Sequence, residues 1–325
     1  MTTRLIFCGD VHLADRPPLG RVEGYREQVL AKLEEVGQIA KKIDADAVVF
    51  SGDIFHSKRP MFTSHYLVQQ VQRVFASYPC PIFIVPGNHD MGPEGMDSLK
   101  RQPLGVVIDD RHVGLLDEPG SNPWVIGDAT LFARPYHAQL DLDPEYYRMR
   151  SDEQEFHEGA KVMVAHSSLM PPRRKEPYGT LDVGELVETG VLDGWDAILS
   201  GHIHDDLGVH KVGHLWFANP GALARPSRTA EAMTRRPNVL EIDIGEEITF
   251  TRHDLTCALP AAEIFLVPED GGVVVTEEIR GFADRLAEGL AVDDTPLDQL
   301  LSELDGVSDG VKDTVRHYLE EVGVN

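Results

Sequence analysis

Short apolar runs alternate with helical patterns along the first part of this chain, and that alternation limits the fold more than any other feature. The runs "RLIF", "AVVF" and "PIFIV" have the length and composition of buried strands. Apolar residues recurring at steps of three and four predict one helix from about Glu23 to Ile43 and a second near Thr63 to Tyr78. This β-α-β-α-β order predicts a parallel sheet with helical crossovers.

The pattern is less regular from Gly92 to Ala160, where we expect loops and peripheral strands with a hairpin around "WVIGDATLFARPY". The α/β pattern returns with "KVMVAHSS", a helix near Val183 to Glu188 and "DAILSGHIH". Four consecutive strand patterns then run from "DLGVHKV" to "EITFTRHDL". They predict a second, largely antiparallel sheet packed against the first.

The composition changes after Thr256. Residues 260–325 contain 16 Asp and Glu against 4 Lys and Arg, which accounts for half of the net charge of −24. Strand patterns there precede two short amphipathic helices, for which Thr295 and Ser308 can serve as N-caps. We predict a main domain over 1–256 and a small acidic C-terminal appendage over 257–325, which either folds onto the main domain or acts as a capping or partner-docking element.

The remaining composition narrows the class of protein. Cys8, Cys80 and Cys257 are far apart, so neither a disulfide framework nor a thiolate zinc site is indicated. The first residues enter a strand pattern at once rather than a signal sequence. No apolar run approaches the ~20 residues needed to cross a bilayer. We therefore expect a soluble, cytoplasmic protein without a membrane partner.

Five of the predicted strands end in Asp, Asn or His. The residues at these five ends are Asp10 and His12; Asp53 and His56; Asn88, His89 and Asp90; His166; and His202 and His204. Residues two apart on an extended segment point to the same side, and the carboxyl ends of parallel strands meet at one sheet edge. Carboxylate, imidazole and amide donors together suit manganese, iron or zinc, and the lack of cysteine argues against a structural zinc site. One such histidine is most often an ordinary core or surface residue, but five such ends predict a metal centre.

The series D-x-H, G-D, G-N-H-D, a later His and G-H-x-H resembles the calcineurin-like metallophosphoesterase superfamily over roughly residues 4–205. The resemblance implies an α/β fold, a four-layer α-β-β-α sandwich of two mixed sheets, with residues 1–256 as the catalytic domain. It also implies two divalent metal ions side by side, bridged by Asp53. The implied ligands are Asp10, His12, Asp53 and His204 on one metal, and Asp53, Asn88, His166 and His202 on the other.

The same resemblance implies that His89 donates a proton to the leaving oxygen and that Asp90 orients the ring of His89. "GDIFHSKRP" and "GDVHLAD" are similar to the SbcD-type branch of the superfamily, the nuclease subunit of a double-strand-break repair complex. That similarity implies contact between His56 and the scissile phosphate, a Mn²⁺-dependent DNA exo- and endonuclease, and an SMC-like ATPase partner of the SbcC type. It also suggests a homodimer formed through the helix near Thr63 to Tyr78. The region beyond Thr256 is shorter than such a nuclease would require for partner binding.

Basic residues near the metal motifs are candidates for contacts with backbone phosphates. They are Arg16, Arg21, Lys58, Arg59, Arg173, Arg174, Lys175, Arg225, Arg228, Arg235 and Arg236. Phe55, Tyr136, Tyr178 and Trp216 can stack on a base, although aromatic residues at strand ends more often belong to the core or its rim.

Two other functions remain open. The acidic net charge favours a phosphodiesterase or phosphatase for a small molecule such as a cyclic nucleotide, because DNA-binding proteins usually carry a basic surface. The other alternative is a non-catalytic scaffold of the same fold. It is disfavoured because every implied ligand position is filled.

Overall fold

The computed structural model describes residues 2–18, 20–57, 60–109, 112–117, 123–137, 139–156, 159–174 and 180–266. The strands within these residues are β1 (Thr3–Cys8), β2 (Ala47–Phe50), β3 (Ile82–Ile84), β4 (Val113–Leu115), β5 (Trp124–Ile126), β6 (Ala129–Arg134), β7 (Ala160–Ser167), β8 (Leu169–Met170), β9 (Leu181–Asp182), β10 (Ala197–His202), β11 (Gly208–Val212), β12 (Leu215–Asn219), β13 (Asn238–Ile244) and β14 (Ile248–Asp254). The α-helices are α1 (Tyr25–Ile43), α2 (His65–Phe75), α3 (Pro103–Val107), α4 (Ser151–Gln154), α5 (Val183–Glu188) and α6 (Ala261–Ile264). Short 3-10 helices cover Pro60–Phe62, Met96–Arg101 and Pro144–Tyr147.

The first sheet has six strands in the order β14-β13-β1-β2-β3-β4. Strands β1 to β4 are parallel, and β13 and β14 extend the sheet with antiparallel pairings beside β1. Helices α1 and α2 form the crossovers, so both predicted helices are confirmed to within three residues at each end. Ser64 caps α2 by accepting a hydrogen bond from Leu67 N at 3.1 Å.

The second sheet has the order β11-β12-β10-β7-β6-β5. Its inner strands β12, β10, β7 and β6 are parallel, and only the edge strands β11 and β5 pair antiparallel. The prediction of a largely antiparallel second sheet is therefore wrong. Of the four consecutive strand patterns, β11 and β12 join this sheet, whereas β13 and β14 return to the first.

The position of strand β6 also differs from the prediction. The region from Gly92 to Ala160 was expected to hold only loops and peripheral strands, yet all six residues of β6 are buried and β6 lies between β5 and β7. The hairpin itself is confirmed, since Trp124 pairs with Leu131 across β5 and β6.

Alternating side chains of β1 show how the layers form. Ile6 and Cys8 face a core shared with α1 and α2, whereas Leu5 and Phe7 face a core that lies between the two sheets. A third core on the far side of the second sheet includes Trp195, which is fully buried. Three cores separate four layers, which confirms the α-β-β-α sandwich of two mixed sheets.

The last described residues pack against the start of the chain. Val22 N donates to Ile264 O at 3.1 Å, and Leu266 N donates to Gly20 O at 2.8 Å. The rest of the predicted appendage, with its two helices, lies outside the described residues, so the boundary at 256 stays a prediction. In the part of the chain that the structure describes, no helix has both the length and the apolar character needed to span a membrane.

Candidate metal centre

The five strand ends singled out in the sequence meet at one edge of the sandwich. β1, β2 and β3 of the first sheet and β7 and β10 of the second end at this edge because both sheets are parallel in their centres. The seven residues implied as metal ligands all lie there: Asp10, His12, Asp53, Asn88, His166, His202 and His204. Six of them are buried, and His202 is half-buried.

One group of donors forms around His12 and His204. Their Nε2 atoms lie 2.8 Å apart. Asp10 Oδ2 is 3.5 Å from His204 Nε2, and Asp53 Oδ2 is 3.6 Å from His12 Nε2. Each of the four residues offers a ligand atom within 4.8 Å of the other three.

A second group lies on the other side of Asp53. His166 Nε2 is 2.9 Å from Asn88 Oδ1 and 3.5 Å from Asp53 Oδ2. His202 Nδ1 lies 3.2 Å from both Asn88 Oδ1 and His166 Nε2. Asp53 Oδ2 is thus shared between the two groups, with about the same distance to His12 on one side and to His166 on the other.

These separations fit shared cations. Two nitrogen ligands about 2.0–2.1 Å from one divalent ion and at right angles to each other are about 3 Å apart. His166 Nδ1 lies 2.7 Å from the backbone oxygen of Ser51, so we assign the proton to Nδ1. Nε2 then presents a lone pair to Asn88 Oδ1 and Asp53 Oδ2. Because acceptor atoms that converge in this way repel one another, the site favours a cation at their centre.

Three of these residues have unusual backbone conformations. The φ angles of His12, Asp53 and His202 are 49°, 47° and 79°. Residues other than glycine adopt this left-handed region at an energetic cost, and such residues concentrate at functional sites. The turns aim the side chains inward from the strand ends.

Two glycines allow the donors to approach the backbone. A Cβ on Gly87 would lie 2.2 Å from Asp53 Oδ1, and a Cβ on Gly201 would lie 2.5 Å from Asp10 Oδ1. Neither space admits a larger residue without moving a carboxylate. The glycines in "PGNHD" and "SGHIH" are therefore part of the site.

Ser51 supports both donor groups and was not predicted. Its backbone oxygen accepts from His166, and its hydroxyl donates to Asp10 Oδ1 at 3.0 Å. The backbone N–H of His202 also donates to the Asp10 carboxylate, at 3.0 Å from Oδ2. A serine directly before the Gly-Asp of a strand end is the only sequence signal for this role, and it is a weak one because serine is common in turns.

His56 and His89 lie beside the first donor group. The His56 ring stacks on that of His89 at 5.7 Å between centroids, with 15° between the planes, and His56 Nδ1 lies 3.3 Å from His12 Nδ1. His89 Nδ1 lies 2.5 Å from the backbone oxygen of His56. His89 N also donates to Asp53 Oδ1 at 2.7 Å.

The orienting role of Asp90 stays a prediction; the His56 carbonyl oxygen is a hydrogen-bond partner of His89 Nδ1. Asp90 Oδ1 accepts from Ile54 N, and Oδ2 accepts from Gly87 N, each at 3.0 Å. Asp90 thus ties the loop after β2 to the loop after β3. Burial raises the pKa of Asp90 to about 7, against the opposing effect of these backbone N–H donors.

The predicted basic surface is only partly present. Arg16, Arg173, Arg174 and Arg236 are exposed, whereas Arg228 is half-buried. Arg21 and Arg225 are each 3% exposed, and the Arg235 side chain is 6% exposed, so these three are wrongly predicted as open surface. They point inward because they donate to backbone carbonyls. Lys58, Arg59 and Lys175 lie outside the described residues.

Of the three candidate aromatic residues that the structure describes, Tyr136 alone packs against the centre. Its ring lies 5.7 Å from that of His202 and 6.1 Å from that of His166. Phe55 is 1% exposed in the core, and Trp216 packs against Phe250. Tyr178 lies outside the described residues.

Comparison with known proteins gives the family. The model of the calcineurin-like phosphoesterase family matches residues 3–206. The chain is 23% identical over 280 residues to a DNA double-strand break repair protein Mre11 of Halobacterium salinarum, covering 85% of this chain and 67% of that protein. It is 27% identical over 288 residues to the Mre11 protein of Haloferax volcanii, covering 86% of this chain and 58% of that protein.

Among solved structures, a dimetal phosphatase from Danio rerio aligns with a TM-score of 0.49 and 13% identity over 78% of this chain and 96% of that one. The family match spans well over half of the chain and includes every one of the five strand ends. The chain therefore belongs to the calcineurin-like phosphoesterase family and is a metallophosphoesterase.

Proposed function

We propose that this metallophosphoesterase is a DNA exo- and endonuclease of the SbcD type that hydrolyses phosphodiester bonds at the centre around Asp53. The observation that supports it best is the position of Asp53 Oδ2, 3.6 Å from His12 Nε2 and 3.5 Å from His166 Nε2. One carboxylate between two donor groups suits a pair of divalent ions. The Mre11 relatives, which are double-strand break repair proteins by name, support DNA as the substrate.

Each residue of the centre has a proposed role. Asp10, His12, Asp53 and His204 would hold one ion, and Asp53, Asn88, His166 and His202 would hold the other. Two such ions would supply an activated water and neutralise charge on the phosphate oxygens. Imidazole, carboxylate and amide donors suit Mn²⁺, with iron and zinc as alternatives.

His89 is the proposed proton donor to the leaving oxygen. The His56 carbonyl keeps the proton on Nδ1, so Nε2 is left as the atom that exchanges a proton with the substrate. The His56 ring, stacked beside His89, is the proposed contact to the scissile phosphate. Asp90 acts through the backbone, since it fixes the loop that carries Asn88 and His89.

The partners follow from the same proposal. An SMC-like ATPase of the SbcC type is the proposed partner. The reducing cytoplasm is the proposed location, because all three cysteines are free thiols. A homodimer through α2 is supported by Met61, Phe62 and Tyr66, which are 79%, 50% and 54% exposed around the start of that helix.

A small-molecule phosphodiesterase is the second candidate, because burial of Arg21 removes part of the expected DNA-binding surface. The two proposed functions can be distinguished by a cleavage assay with Mn²⁺ that compares linear DNA, bis(p-nitrophenyl) phosphate and cyclic nucleotides as substrates. A nuclease cleaves the DNA and loses affinity for it steeply with salt. Cleavage of the small substrates alone would reject the nuclease.

A further inference from the structure

A small pocket that opens to solvent lies beside the metal centre. His204, a proposed metal ligand, forms part of its wall. Arg225, Arg235, Ser227 and Thr229 line it as well. Two arginines and two hydroxyl-bearing residues therefore line a pocket at the side of the proposed catalytic centre.

The loop that carries these residues is fixed to the metal loops. Leu223 N donates to Asp10 O at 2.7 Å, and Ala222 N donates to His204 O at 2.9 Å. The pocket and the metal centre therefore share the side chain of His204.

The two arginines are buried but incompletely bonded. Arg225 donates to the backbone oxygens of Ala232, Arg235 and Leu259, and Arg235 donates to that of Ala222. Within the described residues, Arg225 Nε and Arg235 Nη1 make no hydrogen bond. Buried donors without an acceptor are rare in folded proteins, and a bound ligand is one of the few explanations for them.

Two further basic side chains lie behind the pocket. Lys32 Nζ is 2.9 Å from Leu223 O, and Arg21 Nη1 is 3.0 Å from Ala224 O. Burial, and then the charges of Arg21 and Arg225, lower the pKa of Lys32 well below its usual value. Arg21 is 3% exposed, so water screens its charge poorly and its positive potential adds to that of the pocket arginines.

The pocket also contains two carboxylates, and both are paired. Glu231 Oε2 lies 2.8 Å from Arg235 Nε, and Asp205 Oδ2 lies 3.2 Å from Arg174 Nη2. Asp206 also lies near Arg235, so carboxylates offset part of the positive charge around the pocket.

We infer that this pocket binds a phosphate group, namely the phosphate that neighbours the scissile one along a nucleic acid strand. Guanidinium groups bind phosphate oxygens with paired, charge-assisted hydrogen bonds, and the hydroxyls of Ser227 and Thr229 add neutral donors. The inference rests on the proposed nuclease function and narrows its substrate to diesters that carry an adjacent phosphate.

Ser227 offers a test that leaves the buried arginines in place. Ser227 is half-buried at the pocket, so Ser227→Asp places a negative charge among the phosphate donors. Ser227→Asn has nearly the same size without the charge and is the matched control.

The first measurement is the melting temperature of the full chain at pH 8, after metal ions have been removed with a chelator. The melting temperature is recorded while inorganic phosphate replaces chloride at constant ionic strength. A ligand that binds the folded state raises the melting temperature in a saturable manner. We expect that rise in the parent protein and in Ser227→Asn, and at least a tenfold weaker apparent affinity in Ser227→Asp. No rise in the parent, or the same rise in both variants, would overturn the phosphate pocket.

The second measurement uses thymidine dinucleotides with a 5′-phosphate, a 3′-phosphate or no terminal phosphate, each with Mn²⁺. We expect kcat/KM to be about tenfold higher for one of the two phosphorylated forms than for the form without, and this ratio to approach one in Ser227→Asp. Equal kcat/KM for all three would overturn the assignment to the neighbouring phosphate. Failure to cleave any of them would reject the nuclease, while the melting experiment would still decide whether the pocket binds phosphate.

Discussion

His89 Nδ1 lies 2.5 Å from the backbone oxygen of His56. A carbonyl oxygen only accepts hydrogen bonds, so Nδ1 is the donor and the other ring nitrogen is left for the substrate. The loop after β2 thereby sets the tautomer of a residue in the loop after β3. This contact couples two loops through residues that are 33 positions apart in the sequence.

Replacing His89 by Asn should remove turnover and keep the metals. We expect kcat for cleavage of linear DNA, whose alkoxide leaving group needs a proton, to fall by about 10²–10⁴-fold, the usual contribution of a general acid. Metal content by mass spectrometry should match the parent protein. His112→Asn, at an exposed position away from the centre, is the control. Undiminished turnover of His89→Asn would refute the acid assignment.

The position of Asp53 predicts a difference between two ligand variants. Asn88→Ala should lose one of two bound Mn²⁺ ions, because Asn88 contacts only His166 and His202 among the donors. Asp53→Asn should weaken the binding of both ions, because Asp53 Oδ2 lies between His12 and His166. The number of Mn²⁺ ions bound per chain, measured after gel filtration, tests this difference between the two variants. Equal losses in the two variants would contradict a bridging role for Asp53.

Gly87→Ala should damage the site more than the fold. The added Cβ would lie 2.2 Å from Asp53 Oδ1, so this carboxylate has to move. We expect about 1–3 kcal/mol lower unfolding free energy, typical of overpacking, and at least a tenfold loss of Mn²⁺ affinity. Gly245→Ala, whose Cβ would approach other atoms no closer than 3.4 Å, should change neither quantity measurably. Calorimetric Mn²⁺ titration and urea unfolding measure the two effects, and unaltered Mn²⁺ affinity in Gly87→Ala would contradict the expectation.

The Cys257 thiol should react slowly with iodoacetamide although the residue is exposed. Partial burial, and then the neighbouring Glu35 carboxylate, raise the pKa of Cys257 to about 12. A raised thiol pKa leaves less thiolate, the reactive form, so alkylation at pH 8 should be at least about tenfold slower than in the urea-unfolded chain. Glu35→Gln removes the carboxylate charge, lowers the pKa and should speed the reaction. Equal rates in the parent and Glu35→Gln would show that Glu35 has no such effect.

The proposed dimer predicts sensitivity at Phe62. Phe62→Glu places a charge in the exposed apolar cluster of Met61, Phe62 and Tyr66, and burying that charge in an interface is costly. We expect the mass from light scattering to fall from that of two chains to that of one. Leu142→Glu, at a 66% exposed leucine in another loop, should leave the mass unchanged. A parent protein that is monomeric at all concentrations would reject the dimer.

Much of the site could be predicted because its signals are local. An apolar run followed by Gly-Asp or Gly-His-x-His specifies a strand and the residues at its end, so Asp10, Asp53 and His202 could be placed before the fold was known. Ser51 and Gly87 gave no comparable signal, because their roles depend on Asp10 and Asp53, which reach them only after folding.

The amino-acid sequence by itself determined the β-α-β-α-β order at the start of the chain, its two crossovers and the set of donors, since periodicity and spacing act over a few residues. Only the tertiary structure decided that β13 and β14 join the first sheet, that the His56 carbonyl holds His89, and that Arg21 and Arg225 turn inward. Each of these depends on contacts between distant segments. Which segments meet is decided by the packing of both sheets together, and no local pattern records it.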